Sequence, residues 1–381
     1  MTSSLFVLDS DHEEFRDSVR AFARKRFLDS YLERALSDEF PHDALRLLAD
    51  QGLLGLRVPE KLGGQGADLL ALGLAVESVA YADINVAYLI FTGNMVAGTL
   101  ASFADKSVAD EWVPRIISGH AIGGTALTEP GSGSDAAALA TRAVKVAGGW
   151  RLTGEKTSIT LASHADIMIV AAKTDSGIGA FIVRMDSPGV SSQTFRDPGC
   201  RPLGRGSLTL DDVFVPDDHL LGGGAAGFRL LMGEFDLSRS LLGLMATGAA
   251  QRAIDAAVVY SRVRTSFGRT LSAYQGVSLP IAEHTTYLEA VRTLGYHALG
   301  LREAGLPHTK QAAMLKWWGP LAAFRAIHDA ILLHGQVGYS DELPLQSLLR
   351  DVSAFQIGDG TAQIQKLIIA RETIGREVMP R

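Results

Sequence analysis

Four segments of the chain carry side chains able to do chemistry. The richest is Thr128-Glu129-Pro130-Gly131-Ser132-Gly133-Ser134-Asp135-Ala136. Its glycines can expose backbone N–H groups, and its hydroxyls can meet a polar ring edge or a pyrophosphate. Gly131-x-Gly133-x-x-Ala136 also fits a dinucleotide fingerprint, which requires a strand entering, a packed helix leaving and a second parallel strand. Only five residues separate it from a strand pattern starting at Arg142, which argues against that reading. A serine–glycine turn between domains is the plain alternative. The second segment, Gly154-Glu155-Lys156-Thr157-Ser158-Ile159-Thr160, reads as a strand of its own with exposed polar residues. The third runs from Arg264 through Phe267, Gly268 and Arg269 to Gln275, a basic corner in a break between helices. In the fourth, Gly358-Asp359-Gly360-Thr361-Ala362-Gln363 places an acid between two glycines ahead of a helix, a common turn and N-capping device. The ten histidines are scattered and show no metal-ligand spacing. Cys200 is the only cysteine, so neither an internal disulfide nor a thiolate cluster can form.

The elements that must position these residues follow from periodicity. Phe15, Val19, Phe22, Ala23 and Phe27 recur at helical spacing, and Leu45, Leu48 and Leu53 continue the pattern. Gly63-Gly64-Gln65-Gly66 interrupts it without the Lys-Ser/Thr of a phosphate loop and reads as a turn. The uncharged stretch Ile84 to Ala104 holds Asn85, Gly93, Asn94, Gly98 and Ser102, and reads as a buried helix rather than a membrane span. From about residue 121 the texture becomes that of strands. A hairpin turns at Gly148-Gly149, and runs follow at Ile167–Ala172, Gly179–Arg184 and Ser207–Val215. Leu220 to Gly227 reads as a linker. Helical periods then return, with a stripe of Leu242, Met245, Ala249, Ala253, Ala257 and Tyr260, and helices over 280–304, 309–333 and 362–377. Gly243 and Gly248 on such a helix imply a close backbone neighbour. Segregated helices, strands and helices make an α+β chain. The domains expected are 1–120 (all-α), 121–222 (a β-barrel or sandwich) and 223–381 (a helical bundle).

Composition narrows the class further. The 381 residues carry 36 Lys+Arg and 42 Asp+Glu, a net charge of −6, which disfavours an electrostatic grip on nucleic acid. The N-terminal stretch lacks a basic, then apolar, leader pattern. The expectation is a cytoplasmic protein with no nucleic-acid or membrane partner.

Taken together, GLRVPEKLGGQG, ALTEPGSGSD, GEKTSIT, DDVFVP, RVRTSFGRTLSAYQ and HGQVGYSDELPLQSLLRD with IGDGTAQIQKLIIAR resemble the acyl-CoA dehydrogenase superfamily over nearly the whole chain. The resemblance implies an N-terminal helical domain, a central β domain, a C-terminal four-helix bundle, bound FAD, and a homotetramer or homodimer. It places Leu127, Thr128, Gly133, Ser134, Ser158, Ile159, Thr160, Gln336, Thr361 and Gln363 at the flavin. Arg264, Phe267 and Gln275 would hold the adenine-diphosphate half from a neighbouring subunit. Ser134, Asp236, Ser238, Arg239 and Gly360 would line the substrate path. The implied reaction is α,β-dehydrogenation of an acyl thioester, carried by CoA or by an acyl-carrier protein. A carboxylate removes the α-proton, and electrons pass to electron-transferring flavoprotein or oxygen.

The chain departs from the family pattern at informative places. The usual Glu of Glu-Gly-Thr is Asp359, one methylene shorter and about 1.5 Å short in reach. The other position from which members supply a base is Ser238, which closes that option. Ser158 stands where a Trp is usual, Gln336 where the second of two glycines is, Gly358 where an aromatic is, and Lys366 where an Arg is common. Asp359 is therefore the expected base. Nitroalkane oxidation, a flavin-dependent hydroxylation or oxidation, and a non-catalytic binding paralogue remain the alternatives. His334 is expected to be a packed helix-end residue rather than a cofactor contact.

Overall fold

The computed structural model describes residues 8–223, 227–375 and 377. Six helices come first: α1 (Ser10–Phe27), α2 (Tyr31–Leu36), α3 (His42–Asp50), α4 (Leu69–Ala82), α5 (Ile84–Phe103) and α6 (Lys106–Ile117). Asp83 separates α4 from α5 in an extended conformation, and its carboxylate caps α5 by accepting from the N–H groups of Asn85 and Val86. Helix α5 is long and apolar enough to cross a membrane, but most of it is buried against its neighbours, as its polar interruptions suggested. The Gly63–Gly66 turn is set by sterics: a Cβ on Gly64 would fall 2.1 Å from the Val58 carbonyl oxygen.

Seven strands follow as one curled sheet: β1 (Gly123–Ala126), β2 (Arg142–Val146), β3 (Gly149–Ile159), β4 (Ile167–Thr174), β5 (Gly177–Arg184), β6 (Val190–Thr194) and β7 (Gly206–Pro216). The order is β1-β4-β2-β3-β7-β6, with β5 on the other edge of β4. Strand β4 is covered on both faces from Ile167 to Ala172, so it reads as an unbroken apolar run, whereas β7 alternates. The β2–β3 hairpin differs from expectation by one residue. Val146 pairs with Gly149, so Ala147-Gly148 form the turn, with Gly148 at φ 75°. Nor is GEKTSI a separate strand; it is the far half of β3. Strands β1 and β6 carried no sequence signal, β1 being four residues long and β6 almost wholly exposed.

The chain returns to helices with α7 (Gly227–Val263), a two-residue ribbon β8 (Thr265–Ser266) and β9 (Arg269–Thr270), then α8 (Gln275–Glu303), α9 (Thr309–His334), α10 (Gln336–Tyr339), α11 (Leu345–Phe355) and α12 (Ala362–Thr373). The expected linker is partly a 3-10 turn at Leu221–Gly223, and 224–226 lie outside the described residues. The two helical glycines are explained. A Cβ on Gly248 would lie 2.3 Å from the Glu77 carbonyl oxygen of α4, and one on Gly319 of α9 would lie 3.2 Å from the Gly243 Cα. Helix α7 thus meets α4 and α9 backbone to backbone, and its stripe Leu242, Met245, Ala249, Ala253 and Ala257 is buried between them.

Candidate active site

The acid between two glycines is not a helix cap. Thr361 caps α12, its hydroxyl accepting from the Ile364 N–H at 3.4 Å. Asp359 instead sits in a left-handed conformation, φ 55°, followed by Gly360 at φ 93°. A non-glycine residue there needs support from outside the turn. Arg239 Nε of α7 donates to the Asp359 carbonyl at 3.4 Å. Gln365 Nε2 of α12 donates to the carbonyls of Asp359 (3.3 Å) and Gly360 (3.2 Å). The carboxylate has its own partner: the Ser238 hydroxyl donates to Oδ2. Ser238 of α7 thus holds the Asp359 carboxylate in place.

Asp236 and Arg239 form an ion pair of 2.7 Å, and Thr309 donates to the other Asp236 oxygen at 2.6 Å. Helix α7 begins at Gly227, so this pair lies inside the helix rather than at its N-terminus, and it is buried.

Tyr88, which the sequence marked only as core, connects the parts. Its hydroxyl reaches Thr160 Oγ1 at 3.5 Å, just beyond the end of β3, and its ring packs on Phe91 and Phe355. Burial, aided by the negative charge of Asp359, raises the phenol well above its ordinary value, so Tyr88 stays a neutral donor. Helix α5, the end of β3 and the Asp359 turn therefore converge on one spot.

The 127–136 loop is strapped to β3 by a buried ion pair. Lys156 Nζ lies 2.7 Å from Glu129 Oε1 and donates to the Leu127 carbonyl at 3.0 Å. Burial alone would raise the Glu129 carboxyl, but Lys156 and the N–H groups of Ala140 and Thr141 hold it at about 2. The Thr157 N–H adds a bond to the Thr128 carbonyl at 2.9 Å. The loop closes on itself between Glu129 and Ser132. A four-residue strand does enter it, but it leaves through a single 3-10 turn at Ala136–Ala138, not a packed helix. Gly131 and Gly133 adopt no left-handed φ and meet nothing closer than 4.0 Å. Neither backbone geometry nor crowding within the chain calls for glycine there, so the loop leaves room for close approach by another molecule. Both glycines and Ser134 are exposed.

Ser158 is exposed and left-handed at φ 60°, Ile159 is buried, and Thr160 is half-buried. Arg205 donates to Ser158 Oγ at 3.0 Å while its guanidinium pairs with Asp197. A cation thus reaches the position where the family has Trp. Arg264 just before the β8–β9 ribbon, Phe267 at its turn and Gln275 after it are exposed, Phe267 at 95% and with φ 49°. Gln336 and Gln363 are also exposed. His334 packs as expected, its Nδ1 2.7 Å from the Ala330 carbonyl and its ring stacked on Tyr260. Lys366 lies over the Trp317 ring.

Sequence and structure comparisons place the chain in a known family. Residues 9–120, 124–213 and 225–374 match the N-terminal, middle and C-terminal domains of acyl-CoA dehydrogenase. The chain belongs to the acyl-CoA dehydrogenase family. An acyl-CoA dehydrogenase of Bacillus subtilis (strain 168) is 36% identical over 367 residues, 94% of this chain and 97% of that one. The mitochondrial short-chain specific acyl-CoA dehydrogenase of Bos taurus is 34% identical over 370 residues, 95% and 90% of the two chains. The structure of butyryl-CoA dehydrogenase from Megasphaera elsdenii superposes with a TM-score of 0.93 at 30% identity, covering 97% of this chain and 100% of that one. Membership makes the protein a flavin oxidoreductase acting on CH–CH groups, with FAD as cofactor. The uncrowded glycines, the exposed Ser134 hydroxyl, the half-buried Thr128 hydroxyl and the exposed Arg264 suit a group that presents a polar ring edge and a pyrophosphate.

Proposed function

We propose that this enzyme dehydrogenates short acyl-CoA thioesters between the α- and β-carbons, with Asp359 as the base. One observation carries the reading: the Asp359 carboxylate is half-buried, fixed in a left-handed turn and bonded by Ser238, with Tyr88 beside it. A carboxylate so held can take a proton from a carbon brought against it. Bound FAD supplies the acceptor for the hydride that leaves the β-carbon.

The chain's own residues do the rest. Asp359 receives the α-proton on the oxygen that Ser238 does not hold. Tyr88, Phe91 and Phe355 form an apolar wall that keeps water from the carbanion-like centre. Leu127, Thr128, Gly133, Ser134, Ile159 and Thr160 present the flavin face, and Asp236, Ser238, Arg239 and Gly360 border the thioester path. Arg264, Phe267 and Gln275 reach the cofactor of a second copy of the chain, which accounts for an almost fully exposed phenylalanine on a two-residue ribbon. Electron-transferring flavoprotein is the acceptor that closes the cycle. The names of the relatives support a CoA tether and a short chain, and the shorter reach of Asp359 is in keeping with a compact acyl group. Purified holoprotein mixed anaerobically with butyryl-CoA is expected to lose its flavin absorbance within seconds. The same chain on a carrier protein, and nitroethane, are expected to react at least tenfold more slowly. Preferential bleaching by nitroethane would move the enzyme to nitroalkane oxidation, and preference for the carrier thioester would move it to a carrier-bound substrate.

A further inference from the structure

Lys316, in the middle of α9, has no assigned part in this chemistry. It is 1% exposed and, among the described residues, forms no ion pair. Its ammonium donates instead to two backbone carbonyls, Phe355 at 2.5 Å and Gly360 at 3.4 Å. These are the last residue of α11 and the residue after Asp359, so one buried cation ties the two ends of the turn that carries the acid. We propose that Lys316 is a positioning residue, whose ammonium sets the Asp359 carboxylate in its working place by fixing both ends of the 355–360 turn. The proposal rests on the reading of Asp359 as the base.

Burying an ammonium without a carboxylate partner is costly, and an apolar side chain would fill this place at lower cost. A charge kept there calls for a reason, and the left-handed pair Asp359-Gly360 provides it. Arg239 and Gln365 support the same turn from α7 and α12, but neither reaches Phe355. Among the described residues, Lys316 alone donates a side-chain bond to both ends of the turn. The groups facing it are the Asp359 carboxylate, which favours its charge, the Arg239 guanidinium from α7, which opposes it, and the neutral Gln365 amide from α12. Burial outweighs Asp359 and brings the ammonium down to about 8. Below that pH both bonds are charge-assisted; above it they become ordinary amine bonds and weaken.

The test uses holoprotein of wild type, Lys316→Met and Lys316→Arg, with two readouts. The first is the rate of flavin bleaching by butyryl-CoA between pH 6 and 9.5. Wild type is expected to slow with an alkaline midpoint near 8. Lys316→Met is expected to be about 10²-fold slower at pH 7, with FAD retained, substrate affinity within about threefold and no alkaline midpoint. Lys316→Arg, which does not titrate in this range, is expected to lose the midpoint even if its rate is low. The second readout is amide hydrogen exchange over residues 356–361, without substrate, expected to quicken about tenfold or more in Lys316→Met while the rest of the chain is unchanged. An unchanged rate and unchanged exchange in Lys316→Met would overturn the proposal, as would an alkaline midpoint that persists in either variant. If Lys316→Met does not fold, the Lys316→Arg profile decides alone. Exchange needs no turnover. Quickened exchange in Lys316→Met together with full activity in Asp359→Asn would refute the base assignment and leave the tie between Lys316 and the turn standing.

Discussion

Replacing Lys156 by Met tests how the 127–136 loop is held. Lys156 is fully buried and Glu129 is 5% exposed, and Lys156 also donates to the Leu127 carbonyl. Losing the ammonium leaves a buried carboxylate with only the Ala140 and Thr141 N–H groups as partners. Breaking such a pair from one side costs about 3–5 kcal/mol. The carboxyl, held at about 2 against an ordinary 4.5, favours its charged form in the folded chain. Because the folded-state value is depressed, this stability is present above pH 4.5 and is lost as the pH falls toward 2. Urea unfolding at pH 7 is therefore expected to show Lys156→Met destabilised by about 3–5 kcal/mol, with FAD affinity down at least tenfold. Adding Glu129→Leu is expected to restore much of the stability, since an apolar pair leaves no orphaned charge. A single variant within about 1 kcal/mol of wild type, or a double variant as unstable as the two single losses added together, would refute the reasoning.

Other perturbations probe separate parts of the fold. Burial, reinforced by Asp83, raises Asp351 to about 6 despite bonds from Cys200, Tyr31 and Asn85. The folded chain thus holds an extra proton between about pH 4 and 6, and stability attributable to this group falls as pH rises through that window, by at most about 3 kcal/mol. Unfolding measured at pH 4.5 and 7 is expected to differ less in Asp351→Asn than in wild type; an equal difference would contradict this. Gly248→Ala is expected to destabilise by about 1–3 kcal/mol, because the Glu77 carbonyl at 2.3 Å outweighs the helix propensity of alanine. A rise in urea midpoint would contradict it. Arg264→Glu with Phe267→Asp is expected to release FAD and reduce the mass seen by light scattering; full flavin content at unchanged mass would remove the β8–β9 ribbon from the cofactor site.

The helical and strand regions were legible because their periods are set by burial, and the α7 stripe and the doubly covered β4 follow their patterns closely. The hairpin turn at Ala147-Gly148 was misplaced by one because two adjacent glycines offered two turns, and cross-strand pairing chose between them. Strand β1 was missed because four residues are too few for a period, and α11 because Leu345 to Phe355 follows the turn-rich stretch after α9. At the candidate site, the motif residues were singled out because local chemistry is concentrated there. Tyr88, Lys316 and Gln365 were not, since each lies on a helix face that looks like core until the fold brings Asp359 against it. The Ser238 hydroxyl on Asp359 joins residues 121 positions apart, a distance no local pattern spans.

The central claim is that Asp359 takes a proton from the α-carbon. Holoprotein in D2O with 3,3-dimethylbutyryl-CoA, which has α-hydrogens but no β-hydrogen to leave as hydride, isolates that step. Mass spectrometry of the recovered thioester is expected to show α-deuterium with wild type and, with Asp359→Asn holding a full complement of FAD, exchange slower by about 10³-fold or more. Deuterium incorporation by Asp359→Asn at the wild-type rate would contradict the account.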